Sequence, residues 1–279
     1  MPRNLMSSSV DIALVQLTTP ADAVAAFEHA QPLIEEAART AKFILLPECA
    51  NLVEQRRELK AGKVVAEADD YFVRGVRDLA LDLQVEILIG SVIVRAEDSD
   101  KAANRALLIN AQGDITARYD KIHLFDADTP DGKSYRESAT MRPGEAAVVA
   151  DTPWGGHGLS ICYDVRFARL YRELARQDAR MIAVPAAFTV PTGQAHWEVM
   201  LRARAIETGA WVLAPAQGGL HEDGRTTYGH SMVIDPWGKV VAALDHDRPA
   251  VLTARLDLTR VDQARQALPQ LRHDREFTV

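Results

Sequence analysis

Long apolar runs are missing from this chain. No stretch approaches the ~18–20 residues of a membrane-spanning helix. The opening segment, Met1 to Ser9, is short and polar and has no apolar centre of the kind a secretory signal carries. Cysteine is nearly absent. With only Cys49 and Cys162, a disulfide framework is excluded, and a reducing, cytoplasmic setting is expected. Excess positive charge is lacking as well. The 32 basic side chains face 39 acidic ones, for a net charge of −7. That balance argues against a general nucleic-acid or anionic-membrane binder, though a local basic pocket for a small acidic molecule remains open. Several catalytic signatures also fail. Gly158-Leu159-Ser160-Ile161 runs into cysteine rather than completing a serine elbow, His221-Glu222 is not followed by a second metal-binding histidine, and no glycine-rich phosphate loop occurs. The eight histidines have no metal-ligand spacing, so no metal is expected.

What is present is an alternation of strands and helices. Strands are expected at Val10–Leu17, Phe43–Leu46, Glu86–Val94 and Ala106–Asn110, the last turning at Gln112-Gly113-Asp114 into a hairpin that ends at Tyr119. Helices are expected at Asp22–Thr40 and Glu67–Leu83. In the second half, strands fit Val148-Val149, Gly158–Cys162, Met181–Val184, Trp211–Pro215, Ser231–Ile234, Val240–Leu244 and Ala250–Leu256. Helices there fit Phe167–Gln177, Gln194–Thr208 and Leu258–Ala267. Residues 120–146 are rich in Asp, Gly, Pro and Ser and read as one long loop, a length that in a compact domain usually serves function. Strand–helix units followed by hairpins in both halves point to two packed sheets with helices on both outer faces, an α/β sandwich. With no linker or composition break, residues 1–279 are expected to form a single domain.

Cys162 is the chemical centre of this pattern. It closes an apolar strand before a turn into a helix, where open α/β sheets place their chemistry and backbone N–H groups are free to receive an oxyanion. Taken alone, a free cysteine is more often a small buried hydrophobe, and Cys49 is read that way. Glu48 follows Leu45-Leu46-Pro47 at the end of an apolar strand. Burial there could raise its pKa toward that of a general base; the alternative is a solvated loop charge. Lys121 closes a strand and could hold an oxyanion or lower a thiol pKa, against the alternative of an ordinary surface lysine. Glu137, in the long loop, could bond Lys121 or a substrate nitrogen. His196 opens a helix and reads as a structural hydrogen-bonder rather than a partner for the thiol.

Together these residues resemble the nitrilase, or carbon–nitrogen hydrolase, superfamily with its Glu-Lys-Cys triad. Tyr119–Asp126 is similar to its lysine block, Tyr135–Ser138 to its second-glutamate block, and Gly158–Phe167 to its cysteine block. Pro185–Thr189, Thr192–Glu198, Leu201–Glu207 and Tyr228–Gly238 extend the resemblance, which runs from about Asp11 to Leu271 and is closest to the Nit branch. It implies a four-layer α-β-β-α sandwich, a homodimer, and no cofactor. It also implies roles: Cys162 attacks an amide carbon, Glu48 is the general base, Lys121 and the backbone N–H of Tyr163 hold the oxyanion, and Glu137 positions Lys121. The expected reaction converts the terminal carboxamide of a small α-keto acid to the acid and ammonia through a thioester. Gln217-Gly218-Gly219 and His221–Arg225 favour deaminated glutathione as substrate. Alternatives are an ω-amidase acting on α-ketoglutaramate or α-ketosuccinamate, an N-carbamoyl amino acid hydrolase, and a non-catalytic binding protein on the same fold. Arg166 is the candidate anchor for a substrate carboxylate, with a salt bridge to Asp164 as its alternative role. By resemblance Phe188 and Thr192 line the acyl pocket.

Overall fold

The two faces of one strand show how the layers arise. In the computed structural model, which describes residues 8–97, 99–129, 132–275 and 277–278, strand β1 (Ser9–Gln16) sends Ile12 and Leu14 into one buried cluster and Ala13 and Val15 into another. Successive side chains of a strand point to opposite faces, so a strand apolar on both faces belongs to a sheet covered on both sides.

The chain continues through α1 (Ala23–Ala38), β2 (Phe43–Leu45), α2 (Arg57–Ala61), α3 (Tyr71–Leu83), β3 (Glu86–Arg95), β4 (Ala102–Ile109) and β5 (Ile115–Asp120). A small hairpin, β6 (Asp126–Asp128) and β7 (Ser134–Arg136), leads to β8 (Val148–Thr152), β9 (Gly155–Leu159), α4 (Ala168–Arg176), β10 (Ala179–Ala183), α5 (Val190–Thr208) and β11 (Trp211–Ala214). A second small hairpin, β12 (Gly218–Leu220) and β13 (Thr226–Tyr228), precedes β14 (Met232–Ile234), β15 (Val240–Ala243), β16 (Ala250–Asp257) and α6 (Thr259–Ala267).

One sheet has the strand order β16-β1-β2-β3-β4-β5 and the other β15-β14-β11-β10-β9-β8. In each, three central strands run parallel and antiparallel strands flank them. Leu14, Leu45, Leu88 and Leu108 of the first sheet share one apolar cluster with Leu159, Met181 and Val212 of the second. Ile34 of α1 and Phe72 and Val76 of α3 cover the outer face of the first sheet. Tyr171 and Leu174 of α4, with Trp197 and Leu201 of α5, cover the second. The layers are therefore α-β-β-α, as expected.

The differences from expectation are local, and several bear on function. The strand expected at Gly158–Cys162 ends at Leu159, and Cys162 opens a 3-10 turn, Cys162–Arg166, because the Asp164 side chain accepts from Ile161 N at 2.8 Å and bends the chain. Helix α5 begins at Val190 rather than Gln194. Pro191 sits in its first turn, where a missing N–H costs nothing. Residues 120–146 do not form a structureless loop: β6 pairs with β7, and a 3-10 turn at Glu137–Ala139 follows. Neither α2 nor the β12–β13 hairpin has a clear apolar period, and neither was expected.

One glycine lets the two halves meet. A Cβ on Gly90 of β3 would lie 2.0 Å from Leu46 O and 2.3 Å from Pro185 Cβ. The chain segments leaving β2 and β10 thus converge over a bare backbone, and these segments carry the chemistry described next.

Candidate active site

Glu48 leaves β2 two residues beyond Leu46 and is almost fully buried. Its Oε1 accepts from Lys121 Nζ at 2.8 Å and from Asn104 Nδ2 at 3.0 Å, and its Oε2 accepts from Ala187 N at 2.9 Å. The backbone behind it is fixed by Gln217 Nε2, which donates to Glu48 O at 2.9 Å. Burial pushes this carboxyl's pKa up, but the charge and hydrogen bond of Lys121 and the bonds from Cys162 and Asn104 outweigh it, and the net shift is downward from 4.5. The raised value expected from burial alone is therefore corrected: Glu48 is held as a carboxylate.

Lys121 follows β5, where its N–H donates to Asn104 O at 2.9 Å and its carbonyl accepts from Gly144 N at 2.8 Å. Only 2% of its side chain is exposed, and it lies between two carboxylates, Glu48 and Glu137, the latter 2.9 Å away at Oε2. A lysine this deeply buried needs such pairing. Burial works against its charge, yet the field of Glu137 and Glu48 prevails and raises its pKa well above 10.5. Glu137 reaches Lys121 because the β6–β7 hairpin folds back. Its Oε2 also accepts from Phe125 N at 2.7 Å, and its Oε1 from Asn104 Nδ2 at 3.1 Å.

Cys162 has a left-handed backbone, φ 51°, which is strained for a residue with a side chain. Two contacts hold it there: Cys162 N donates to Pro185 O at 2.8 Å, and the turn after it is organised by Asp164. That fully buried carboxylate accepts from Tyr119 OH at 2.7 Å, Ile161 N at 2.8 Å and His123 N at 3.0 Å, with His123 Nδ1 2.7 Å away. From α5, Arg204 Nε bonds Val165 O at 2.8 Å and holds the far end of the turn. Nothing among the described residues accepts from the Tyr163 N–H. Burial and then the adjacent Glu48 carboxylate, which hydrogen-bonds the thiol, push the Cys162 pKa well above 9.0 despite Lys121. The resting group is a thiol with a carboxylate beside it, rather than a preformed thiolate.

All eight residues singled out in the sequence line one cavity of about 260 Å³: Glu48, Lys121, Glu137, Cys162, Tyr163, Arg166, Phe188 and Thr192. Arg166 makes no pair with Asp164, whose oxygens are taken by Tyr119, Ile161 and His123, so that alternative role is corrected. Its guanidinium stacks 5.6 Å from the Phe188 ring and 5.8 Å from the Tyr163 ring, and lies 3.3 Å from His196 Nδ1. His196 thus contacts Arg166. Thr192 Oγ1 is 2.8 Å from Thr189 Oγ1.

Sequence reasoning missed Asn104 and Lys60, saw Asp164 only as an alternative partner of Arg166, and took Gln217 and Arg225 only as parts of blocks that favour a substrate. Asn104 alone had a visible signal, a polar residue within the apolar strand Ala102–Ile109. Chemically, the site offers a thiol beside a carboxylate, with an ammonium and an unengaged N–H on hand. That set can deprotonate sulfur and stabilise an oxyanion at an attacked carbonyl.

Comparison with known proteins identifies the family. Residues 11–266 match the carbon-nitrogen hydrolase family. A Synechocystis protein named deaminated glutathione amidase is 42% identical over 94% of this chain and 96% of its own length. A Yersinia enterocolitica protein of the same name is 45% identical over 72% of this chain and 70% of its own. Among solved structures, the Caenorhabditis elegans NitFhit protein superposes with a TM-score of 0.88 at 37% identity, over 96% of this chain. This chain spans 65% of that longer protein.

Proposed function

The chain belongs to the carbon–nitrogen hydrolase family, and we propose that within it the protein is a cysteine amidase whose substrate is deaminated glutathione. The observation that carries the reading is the Cys162 thiol beside the hydrogen-bonded chain Glu48–Lys121–Glu137, all lining one cavity. The relatives' names support the choice of substrate.

The steps follow from the groups present. Cys162 sulfur bonds to the amide carbon as its proton passes to Glu48. The carbonyl oxygen, now negative, is held by Lys121 Nζ and the Tyr163 N–H. Collapse breaks the C–N bond, and the proton on Glu48 goes to the leaving nitrogen. Water then attacks the thioester, Glu48 takes its proton, and that proton returns to sulfur as the acid departs. From a primary carboxamide the leaving group is ammonia. In deaminated glutathione the carbonyl is bonded to the cysteinyl nitrogen, so the leaving group is the amine of cysteinylglycine. Glu137 keeps Lys121 charged and in place. Arg166 receives the keto acid's carboxylate over the Phe188 ring, with Thr192 beside it.

The two free cysteines fit a cytoplasmic enzyme. The exposed apolar side chains Ile206, Trp237 and Leu268, at 45%, 59% and 51% accessibility, support a homodimer, which light scattering would test. For the activity, purified protein is given deaminated glutathione, α-ketoglutaramate and an N-carbamoyl amino acid, and the products are followed by mass spectrometry. The highest kcat/KM is expected for deaminated glutathione, with activity abolished by Cys162→Ala. A higher kcat/KM for another amide overturns the substrate, and activity surviving the substitution overturns the mechanism.

A further inference from the structure

The cavity contains more positive charge than the reaction uses. Besides Lys121, its walls carry Lys60 from α2, Arg225 from the turn between β12 and β13, Arg166, and Arg136, which is paired with Asp128. Arg166 faces the aromatic side, over Tyr163 and Phe188. Lys60 and Arg225 sit elsewhere, by Cys49, the residue next to Glu48. Burial and then Glu48 drive the Cys49 thiol up to about 12, and Arg225 and Lys60 are the foremost cations opposing that rise.

These two cations have no carboxylate partner among the described residues. Arg225 Nε is buried and makes no hydrogen bond. Half-buried Lys60 makes no ion pair: burial first, and the like charge of Arg225, press its pKa down from 10.5, against the opposing fields of Cys49, Glu137 and Glu48. The acids lining the cavity are already engaged. Glu48 and Glu137 hold Lys121, and Glu54 pairs with Arg56 at its edge. Two half-buried cations that line one cavity and make no ion pair favour an anionic guest, and a guanidinium with a free buried donor suits a carboxylate.

The reaction fixes which part of the substrate would lie there. Glu48 protonates the departing nitrogen, so the amine portion lies on the Glu48–Cys49 side, away from Arg166. We infer that Lys60 and Arg225 form a second anion subsite, which binds a carboxylate carried by the amine-side leaving group. This deepens the proposed function and rests on its substrate reading. The enzyme would read a charge at both ends of the scissile amide, keto acid at Arg166 and peptide C-terminus at Lys60 and Arg225. Ammonia, the leaving group of a primary amide, has nothing to offer the second site.

The test compares deaminated glutathione, its C-terminal glycinamide analogue and α-ketoglutaramate with the wild type, Arg225→Gln, Lys60→Gln and Arg225→Lys. Wild type is expected to prefer the free acid over the glycinamide by at least about tenfold in kcat/KM, a typical worth for one charge-assisted contact. In Arg225→Gln and Lys60→Gln that preference collapses toward unity, and Arg225→Lys restores part of it. Because the readout is a ratio within one variant, loss of folded protein does not mimic it. A wild type indifferent to the terminal charge, or variants that keep the preference, overturns the inference. A binding arm separates it from the substrate reading. S-methyl-cysteinylglycine and its amide are titrated into the Cys162→Ala protein with and without Arg225→Gln. If deaminated glutathione is not turned over, the substrate reading fails, yet charge-selective binding lost with Arg225 still supports the subsite. Equal binding of acid and amide refutes it.

Discussion

Replacing Asn104 with aspartate should install a proton-dependent fault at the centre of the site. The Asn104 amide lies 3.0 Å from Glu48 Oε1 and 3.1 Å from Glu137 Oε1, and donates one N–H to each. A carboxylate there would face two others. At about 3 Å, with an effective dielectric constant of about 20, each like-charge pair repels by about 5 kcal/mol. Taking up a proton at pH 7 costs an ordinary aspartate only about 4 kcal/mol. Protonation is the cheaper route, so folded Asn104→Asp holds one extra proton that its unfolded chain releases. The sign follows: the folded state binds more protons, so the variant loses stability relative to wild type as pH rises above the aspartate's unfolded value, by about 1.4 kcal/mol per pH unit. The protonated acid also offers one donor where the amide offered two. Either Glu48 or Glu137 loses a charge-assisted bond worth about 1.5–3 kcal/mol, which lowers kcat/KM by roughly ten- to a hundredfold. Denaturant unfolding at pH 5.5, 6.5 and 7.5 measures the slope. Asn104→Leu, which removes both donors and adds no acid, should show a loss independent of pH. A flat pH dependence for Asn104→Asp, or kcat/KM within twofold of wild type, would refute the reasoning.

Two further outcomes are expected. Because the Cys162 pKa lies well above 9.0, its alkylation by iodoacetamide should show no rise at the ordinary thiol value and should increase only above it; a rate already on its plateau at neutral pH would mean a preformed thiolate. Half-buried Glu86, at the start of β3, has a pKa raised to about 7 by burial alone. Its folded state holds a proton that the unfolded chain, with a value near 4.5, gives up. The penalty is therefore absent at low pH, grows as pH rises toward 7 and is complete above it. Glu86→Gln should then stabilise the protein by about 1–2 kcal/mol at pH 8, after discounting for water access, and by less at pH 5; thermal melts at the two pH values check it.

How much of this was legible in the sequence depended on the range of the interaction. The layering was legible because Ile12 and Leu14 alternate with Ala13 and Val15, and alternation is a local property. Glu48, Lys121 and Cys162 each stand next to a strand end and could be found by reading outward from apolar runs. Glu137 could be suspected, but not why it reaches Lys121: residues 120–146 carry no periodicity, and their shape comes from backbone pairing of Asp126 with Arg136. Asp164 was weighed only as an alternative partner for Arg166. Two residues apart in sequence, they looked like a pair, whereas the tight turn directs Asp164 inward to Tyr119 and His123. Lys60 and Arg225, 165 positions apart by their numbers, meet only because a short polar helix and a glycine-containing hairpin face the same cavity.

The electrostatic layout explains why a buried thiol can serve here without being ionised at rest. Glu48 and Glu137 share the single positive charge of Lys121, which leaves the cluster one negative charge in excess; burial first, and then that excess, keep the neighbouring Cys162 protonated. Attack turns the balance around. As sulfur gives its proton to Glu48, negative charge moves onto the carbonyl oxygen, toward Lys121 and the Tyr163 N–H. The ammonium then loses one anionic neighbour as it gains another, so its environment changes little in net charge. Little reorganisation is needed at the moment of reaction, which is the condition under which fixed charges stabilise a transition state most effectively. By this argument Glu137 matters for more than holding Lys121 in place: without its charge, Lys121 would bind Glu48 more tightly and depress its basicity further. A base already below 4.5 has little strength to lose.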